Sequence, residues 1–132
     1  YYNDSKATNV ASVVCSIRDF QEPLVLLMGG RDKGGSYTPL EPILRDRTRA
    51  LIVFGEARPL ITAALKHVAR VIEVEDLTEA VEAARREAKA GDSVVLSPAC
   101  SSYDQFPNYE VRGETFGRLV WGLDRPIEQA DE

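Results

Sequence analysis

Short apolar runs alternate along the chain with segments that carry a helical repeat. Four runs rich in Val, Leu and Ile predict strands, because such runs bounded by glycine or turn residues are typical of strands buried on both faces. They cover residues 23–28, 50–54, 68–74 and 93–96. Residues 1–4 resemble the end of another strand that runs into a loop. The pattern therefore predicts four strands and the last part of a fifth.

The segments between these strands predict helices. The apolar positions of the first follow the spacing i, i+3, i+4, i+7, and Thr8 or Asn9 can cap its start. Asn108 can cap the last helix. Three further helices are predicted at residues 39–44, 59–66 and 77–88. The residues expected to face inward are Val10, Val13, Val14 and Ile17 in the first helix and Phe116, Leu119, Val120 and Leu123 in the last.

This order of elements predicts a three-layer α/β domain. Helices between apolar strands imply right-handed crossovers and a mainly parallel sheet flanked by helices, which is a Rossmann-like arrangement. The 132 residues suffice for one such core. The polar, acidic end at residues 125–132 is expected to be a disordered tail.

Composition excludes several classes of protein. Apolar residues make up 44% and charged residues 28%, as in ordinary globular domains rather than disordered chains. The net charge is −5, so bulk electrostatic attraction to nucleic acid or to an anionic membrane is not expected. No apolar run approaches the roughly 20 residues of a membrane helix.

The few cysteines and the single histidine limit the chemistry further. Cys15 and Cys100 form no CxxC pair, which favours a reducing, cytoplasmic setting. Cys15 adjoins an apolar stripe and is expected to be packed. His67 is alone, which argues against a histidine metal site or an internal Ser-His-Asp triad. The chain does not begin with Met, and we expect it to be a piece of a longer protein.

Three polar segments carry the candidate chemistry, and two of them directly follow predicted strands. They are NDSKATN at residues 3–9, GGRDKGG at residues 29–35 and SPACSSYDQF at residues 97–106. In open parallel sheets, ligands bind outside the carboxyl ends of the strands. If the strands are parallel, all three segments meet at one edge of the sheet, which predicts a ligand site there.

The first two segments suit an anion. Lys33 lies among four glycines, which let backbone amides approach a ligand closely, although such a loop can also be only a tight connection. The loop matches neither the GxxxxGK[ST] nor the GxGxxG phosphate-binding pattern. Asp4 and Lys6 precede a helix, whose positive end favours an anion. Capping of the first helix accounts for a polar residue at Thr8 or Asn9, but it does not account for Asp4 and Lys6 together.

The third segment adds donors at the same edge. Ser101 and Ser102 can donate their hydroxyl protons, and Asp104 can accept. Asn108 and Tyr109 begin the last helix, where backbone N–H groups form another anion-binding feature. The residues therefore indicate binding of a small anionic ligand, such as a dicarboxylate or a phosphate. They offer too few acids and bases for a self-contained enzyme.

At these segments the chain resembles the C-terminal domain of the Mur ligases, on the branch that adds D-glutamate. The matching stretches are NDSKATN, LLMGGRDKGG and LSPACSSYDQFPNYEVRGETF, at residues 3–9, 26–35 and 96–116. They occur in the family's order and spacing, and the resemblance extends to about residue 123. Members that add a diamino acid usually carry a DNPR-type motif where this chain has GGRDKGG.

The resemblance implies a cytoplasmic, three-domain ligase of peptidoglycan synthesis. ATP would phosphorylate the carboxylate of UDP-N-acetylmuramoyl-L-alanine, and the amine of D-glutamate would attack the acyl phosphate and release phosphate. Magnesium, the phosphate-binding loop and a carbamylated lysine would belong mainly to a central domain, and the UDP pocket to an N-terminal domain, both outside this chain. We assign no metal ligand here, and we expect a monomer and an inactive isolated fragment.

The resemblance also implies how D-glutamate is held. Lys33 and Thr8 would bind its α-carboxylate, while Ser102 and the backbone N–H of Tyr109 would bind its side-chain carboxylate. Two carboxylates need two clusters of donors, and a lysine, hydroxyls and a helix N-terminus are suitable donors. Tyr109 stands where the family often has Phe, a change that matters little if the backbone makes the contact.

Two more residues would face ATP by the same resemblance. Lys6 would be the catalytic residue, facing the phosphates of ATP or the acyl phosphate, and Asp4 would face the ribose. Residues 1–9 would form the hinge to the central domain, and residues 10–124 the amino-acid-binding domain.

Two alternatives stay open from the sequence. A sibling ligase for another amino acid, including a folylpolyglutamate-synthase-like enzyme, would share the mechanism. A non-catalytic, Rossmann-like module that binds an anion would share only the fold.

Overall fold

The computed structural model describes residues 1–123 and contains one five-stranded sheet. The strands are β1 (Tyr2–Asn3), β2 (Leu24–Gly29), β3 (Thr48–Phe54), β4 (Val71–Glu73) and β5 (Ser93–Ala99). The helices are α1 (Val10–Ile17), α2 (Glu41–Arg47), α3 (Arg58–Leu65), α4 (Leu77–Glu87) and α5 (Tyr109–Leu123). The expected tail at residues 125–132 and the side chain of Leu123 lie outside the described residues.

The strands lie in the order β1-β5-β2-β3-β4, and every pair is parallel. All six residues of β2 and all seven of β5 are buried. Helices cover both faces, so the central strands are apolar throughout rather than alternating. The predicted Rossmann-like, three-layer α/β fold is confirmed.

The helices cover the sheet in two layers that enclose separate cores. One core contains Val13 and Ile17 of α1 together with Ile61 and Leu65 of α3. The other lies under α4 and α5 and includes Phe116, with Leu119 and Val120 packed against it. The inward faces predicted for α1 and for these three residues of α5 are therefore confirmed.

Side-chain caps fix the starts of three helices, and at α4 the cap is Asp76, which accepts from the backbone N–H of Glu79 at 2.9 Å. Asn9 accepts from the backbone N–H of Ser12 at 2.8 Å, and Asn108 accepts from that of Val111 at 2.8 Å. Such a cap stabilises a helix by about 1 kcal/mol. Because Asn9 caps α1, the hydroxyl of Thr8 is not needed as a cap, and its oxygen can accept a hydrogen bond from the neighbouring loop.

Several predicted boundaries are wrong. β5 continues past residue 96 through Pro98 to Ala99, whose partner in β2 follows an irregularity in the register. β4 is shorter than residues 68–74, because Val68 donates to Leu65 O at 3.0 Å and so still belongs to the end of α3. The helix predicted at residues 39–44 begins as a separate 3₁₀ turn before α2.

An ion pair at the amino edge of the sheet predicts a pH dependence of stability. Arg49 at the start of β3 donates from Nη2 to Oδ1 of Asp92 at 2.9 Å, and Asp92 also accepts from the N–H of Lys89. The Arg49 hydrogen bond holds the pKa of the Asp92 carboxyl below its usual range. This contribution to stability is present above the ordinary aspartate pKa of about 4 and is lost as the pH falls through the lowered folded value.

We therefore expect Asp92→Asn to lower the melting temperature at pH 7 and to have less effect at pH 3. Thermal melts across this range measure the difference between variant and parent. Asp19→Asn, a change at an exposed aspartate, is the control. A difference that stays constant with pH would contradict the linkage.

Candidate functional site

The parallel sheet brings the three polar segments to one edge, as predicted. They follow β1, β2 and β5, which are neighbours in the sheet. Arg31 and Ser101 exchange backbone hydrogen bonds of 2.9 and 3.1 Å, which joins the second and third segments. The N–H of Ala99 donates to Ala7 O at 2.9 Å, which joins the third segment to the first. The edge is therefore one connected surface.

Lys33 and Thr8 lie together in this surface. The Nζ atom of Lys33 donates to Oγ1 of Thr8 at 3.3 Å, although the residues are far apart in sequence. Both side chains are accessible, and Lys33 lines a small cleft of about 80 Å³ with Asn9 and Tyr37. An ammonium group and a hydroxyl so placed can hold one carboxylate.

Ser102 and Tyr109 lie at the connection between β5 and α5. Ser102 is 2% exposed, and its carbonyl accepts from the N–H groups of Gln105 and Phe106 at 3.1 and 2.8 Å, which closes the loop. Tyr109 is the first residue of α5, so its N–H has no acceptor within the helix. The side chain of Tyr109 is exposed.

Asp4 and Lys6 line a different cleft, of about 410 Å³, beside α1. Oδ2 of Asp4 accepts from the hydroxyls of Ser16 and Ser97, the latter at 3.1 Å. These bonds fix the carboxylate at the end of β1. Lys6 is exposed and also borders a cleft of about 490 Å³ beside α5.

Arg112 is a buried residue that sequence reasoning missed. It is fully buried and donates to Oγ of Ser5 at 2.9 Å, to Ser5 O at 2.8 Å and to Cys100 O at 3.1 Å. Burial lowers the pKa of its guanidinium to about 10, which leaves the group charged at neutral pH. Arg112 therefore ties the first segment to the third. No local pattern distinguishes it from a surface arginine of α5.

Gly30 has no side chain, which leaves space for the Ser101 carbonyl and the Arg112 guanidinium beside it. A Cβ atom built on Gly30 would lie 2.0 Å from Ser101 O and 3.1 Å from Nη1 of Arg112, and its φ is +131°. Only glycine allows the backbones of residues 30 and 101 to approach this closely.

The two cysteines occupy different environments. Cys100 is buried, and burial raises the pKa of its thiol to about 11, so the thiol carries its proton at neutral pH. Cys15 is exposed, and the expectation that it is packed is wrong. Val13 and Ile17 take the buried face of α1, and Cys15, two residues from each, lies on the opposite side.

Residues 1–123 contain no group of three or more His, Cys, Asp or Glu side chains placed to hold a metal ion. In the same part of the chain, no helix combines the length and hydropathy that a membrane span requires.

Comparison with known proteins gives a consistent result. The chain is 47% identical over 120 residues to the UDP-N-acetylmuramoylalanine–D-glutamate ligase of Syntrophus aciditrophicus. The aligned region covers 91% of this chain and 26% of that protein. The enzyme of the same name from Geobacter sp. (strain M21) is 50% identical over 120 residues, with the same coverage. That of Ligilactobacillus salivarius is 42% identical over 131 residues, or 98% of this chain and 29% of that protein. The chain thus spans about a quarter of the length of these relatives.

Among solved structures, a Haemophilus ducreyi domain assigned to a UDP-N-acetylmuramate:L-alanyl-gamma-D-glutamyl-diaminopimelate ligase aligns with a TM-score of 0.49 and 13% identity, over 90% of this chain and 86% of that one. Residues 1–100 match the family described as "Mur ligase, glutamate ligase domain". Because that match covers most of the sequence, the chain belongs to the Mur ligase family, as its glutamate ligase domain.

Proposed function

We propose that this chain is the amino-acid-binding domain of an ATP-dependent ligase that joins D-glutamate to UDP-N-acetylmuramoyl-L-alanine in peptidoglycan synthesis. Membership of the family and the names of the similar enzymes support the reaction. In this reaction ATP converts the alanine carboxylate to an acyl phosphate. The amine of D-glutamate then attacks the acyl carbon and phosphate leaves.

The observation that carries the proposal is the contact between Lys33 and Thr8 at 3.3 Å, across two separate loops. We propose that this pair holds the α-carboxylate of D-glutamate. Ser102 and the backbone N–H of Tyr109 hold the side-chain carboxylate from the start of α5. Two donor clusters at one edge of the sheet would fix both ends of a short dicarboxylate, and this would orient the amine for attack.

The same proposal assigns Asp4 and Lys6 to ATP. Oδ2 of Asp4 already accepts from two serine hydroxyls, and its other oxygen, Oδ1, is proposed to face the ribose. The exposed ammonium of Lys6 is proposed to be catalytic, by stabilising the negative charge of the phosphates or the acyl phosphate.

The domain division follows from the same proposal. Residues 1–9 form the hinge and residues 10–124 the amino-acid-binding domain, in a cytoplasmic monomer. Further domains of the ligase supply the UDP pocket, the phosphate-binding loop and most contacts to ATP and Mg²⁺. Hinge closure then brings the D-glutamate site against the acyl phosphate.

Phosphate release by the full-length protein tests the reaction. The assay contains ATP, Mg²⁺ and UDP-N-acetylmuramoyl-L-alanine, and D-glutamate, L-glutamate or another amino acid is added in turn. We expect release that depends on D-glutamate and is absent when the nucleotide sugar is omitted.

The other outcomes separate the alternatives. Release with a different amino acid would replace D-glutamate by another substrate within the same mechanism. No release with any amino acid, from folded protein that binds ATP, would contradict the ligase reaction and favour an anion-binding module.

A further inference from the structure

The loop that carries Lys33 is held by the carboxylate just before it. Oδ2 of Asp32 accepts from the N–H of Gly34 at 2.8 Å, and Oδ1 of Asp32 accepts from the hydroxyl of Tyr37 at 2.6 Å. Gly34 has a φ of +87°, which lets the chain reverse directly after Lys33. Both oxygens of Asp32 are therefore engaged by donors that follow Lys33 in the chain.

The chemistry of the groups fixes the direction of these bonds. An ionised carboxylate only accepts, so the single proton of the Tyr37 hydroxyl goes to Asp32. The Tyr37 oxygen lies 3.3 Å from Sγ of Cys100, a buried thiol that keeps its proton and can donate it to that oxygen. The Tyr37 side chain is buried, with 6% of the residue exposed. Tyr37, a buried residue of the core, therefore donates a hydrogen bond to the loop that carries Lys33.

The hydrogen bonds of Asp32 bear on which group the Lys33 ammonium contacts. Asp32 is adjacent in sequence and would be the nearest anion for the ammonium. Within residues 1–123, however, no ion pair joins Lys33 to Asp32, and Nζ of Lys33 lies against Thr8 instead. An ammonium already paired with its own loop would bind an incoming carboxylate less well, because the two anions would compete for one cation.

We propose that Tyr37 is a positioning residue for Lys33: its hydroxyl holds Asp32 against the loop backbone and away from the ammonium, which leaves Lys33 beside Thr8 to receive the ligand carboxylate. The inference rests on the proposed function, in which that ligand is D-glutamate. Tyr37 itself does not touch the ligand.

Tyr37→Phe in the full-length ligase tests this role, because it removes the hydroxyl and keeps the buried ring. We expect the KM for D-glutamate to rise roughly tenfold, the order expected for losing one hydrogen bond to a charged group, with kcat and the KM for ATP nearly unchanged. Thr78→Val removes a hydroxyl from an exposed residue of α4, outside the proposed site and the hinge, and it should leave all three constants unchanged. An unchanged KM for D-glutamate in Tyr37→Phe would overturn the inference.

A double-mutant cycle separates positioning from packing. If the hydroxyl acts through Asp32, Tyr37→Phe should have no further effect on the KM for D-glutamate in an Asp32→Ala background. An effect of the same size in both backgrounds would mean that Tyr37 acts through Cys100 or the core, and would overturn the inference.

Lys33→Met distinguishes failure of this inference from failure of the proposed function. If Lys33→Met raises the KM for D-glutamate and Tyr37→Phe does not, only the positioning role is wrong. If Lys33→Met has no effect on it either, the glutamate site itself is wrong, and the positioning role falls with it.

Discussion

Replacing Arg112 by methionine is expected to lower the free energy of unfolding by about 3 kcal/mol. The guanidinium donates to a hydroxyl and two carbonyls, and its loss leaves the carbonyls of Ser5 and Cys100 buried without this donor. Each such unpaired group costs about 1–3 kcal/mol, offset in part because a buried charge is also removed. Urea unfolding of the chain, monitored by circular dichroism, measures the change.

Arg118→Met is the matched control for this experiment. Arg118 lies on the same helix as Arg112 but is exposed, so its loss should change the stability by less than about 0.5 kcal/mol. Arg112→Lys should fall between, because one ammonium cannot reach all three acceptors in the geometry of the planar guanidinium. Equal stabilities for Arg112→Met and Arg118→Met would contradict the role assigned to Arg112.

Arg112 and Tyr37 meet at the same place in the fold. Arg112 donates to the carbonyl of Cys100, and the hydroxyl of Tyr37 contacts its thiol. Through these contacts Cys100 links the segment that carries Lys6 and Thr8 with the loop that carries Lys33. Of the donors proposed for the ligand, Lys33 is exposed and Thr8 half-buried, whereas Ser102 is buried. Arg112, Tyr37 and Cys100, which join the loops, are buried as well. Buried contacts therefore join the three loops that carry the proposed site.

The fold could be predicted because its signals are local. Buried parallel strands must be apolar throughout, so residues 24–29 and 50–54 are evident from sequence alone. The caps Asn9 and Asn108 are likewise set by residues three positions apart. Strand ends depend on partners elsewhere in the chain, which is why the ends of β4 and β5 were wrong.

The site could be predicted only in outline. Parallel strands bring their carboxyl ends to one edge whatever the order of the strands, so the meeting of Thr8 and Lys33 follows from topology. The roles of Arg112 and Tyr37 do not follow from the topology, because each role depends on burial of the side chain by residues distant in sequence. Cys15 shows the converse: it adjoins an apolar stripe but faces outward.

Lys33→Met in the full-length ligase is expected to raise the KM for D-glutamate by roughly 10- to 100-fold. The ammonium lies 3.3 Å from Thr8 Oγ1 on an exposed edge, where it can form a charged hydrogen bond to a carboxylate. Loss of such a bond corresponds to about 1.5–3 kcal/mol. Because the bond exists in both the bound substrate and the transition state, kcat should change much less than KM. Phosphate release at varied D-glutamate concentration measures both constants.

Two comparisons make this result specific to the site. Lys66→Met removes an exposed lysine at the end of α3, so it matches the change in charge and should leave the KM for D-glutamate unchanged. Thr8→Val should raise that KM by a smaller factor, since a neutral hydroxyl contributes less than an ammonium. If Lys33→Met and Lys66→Met gave the same small change, the effect would be one of net charge. The carboxylate of D-glutamate would then have to be held by other donors of this edge.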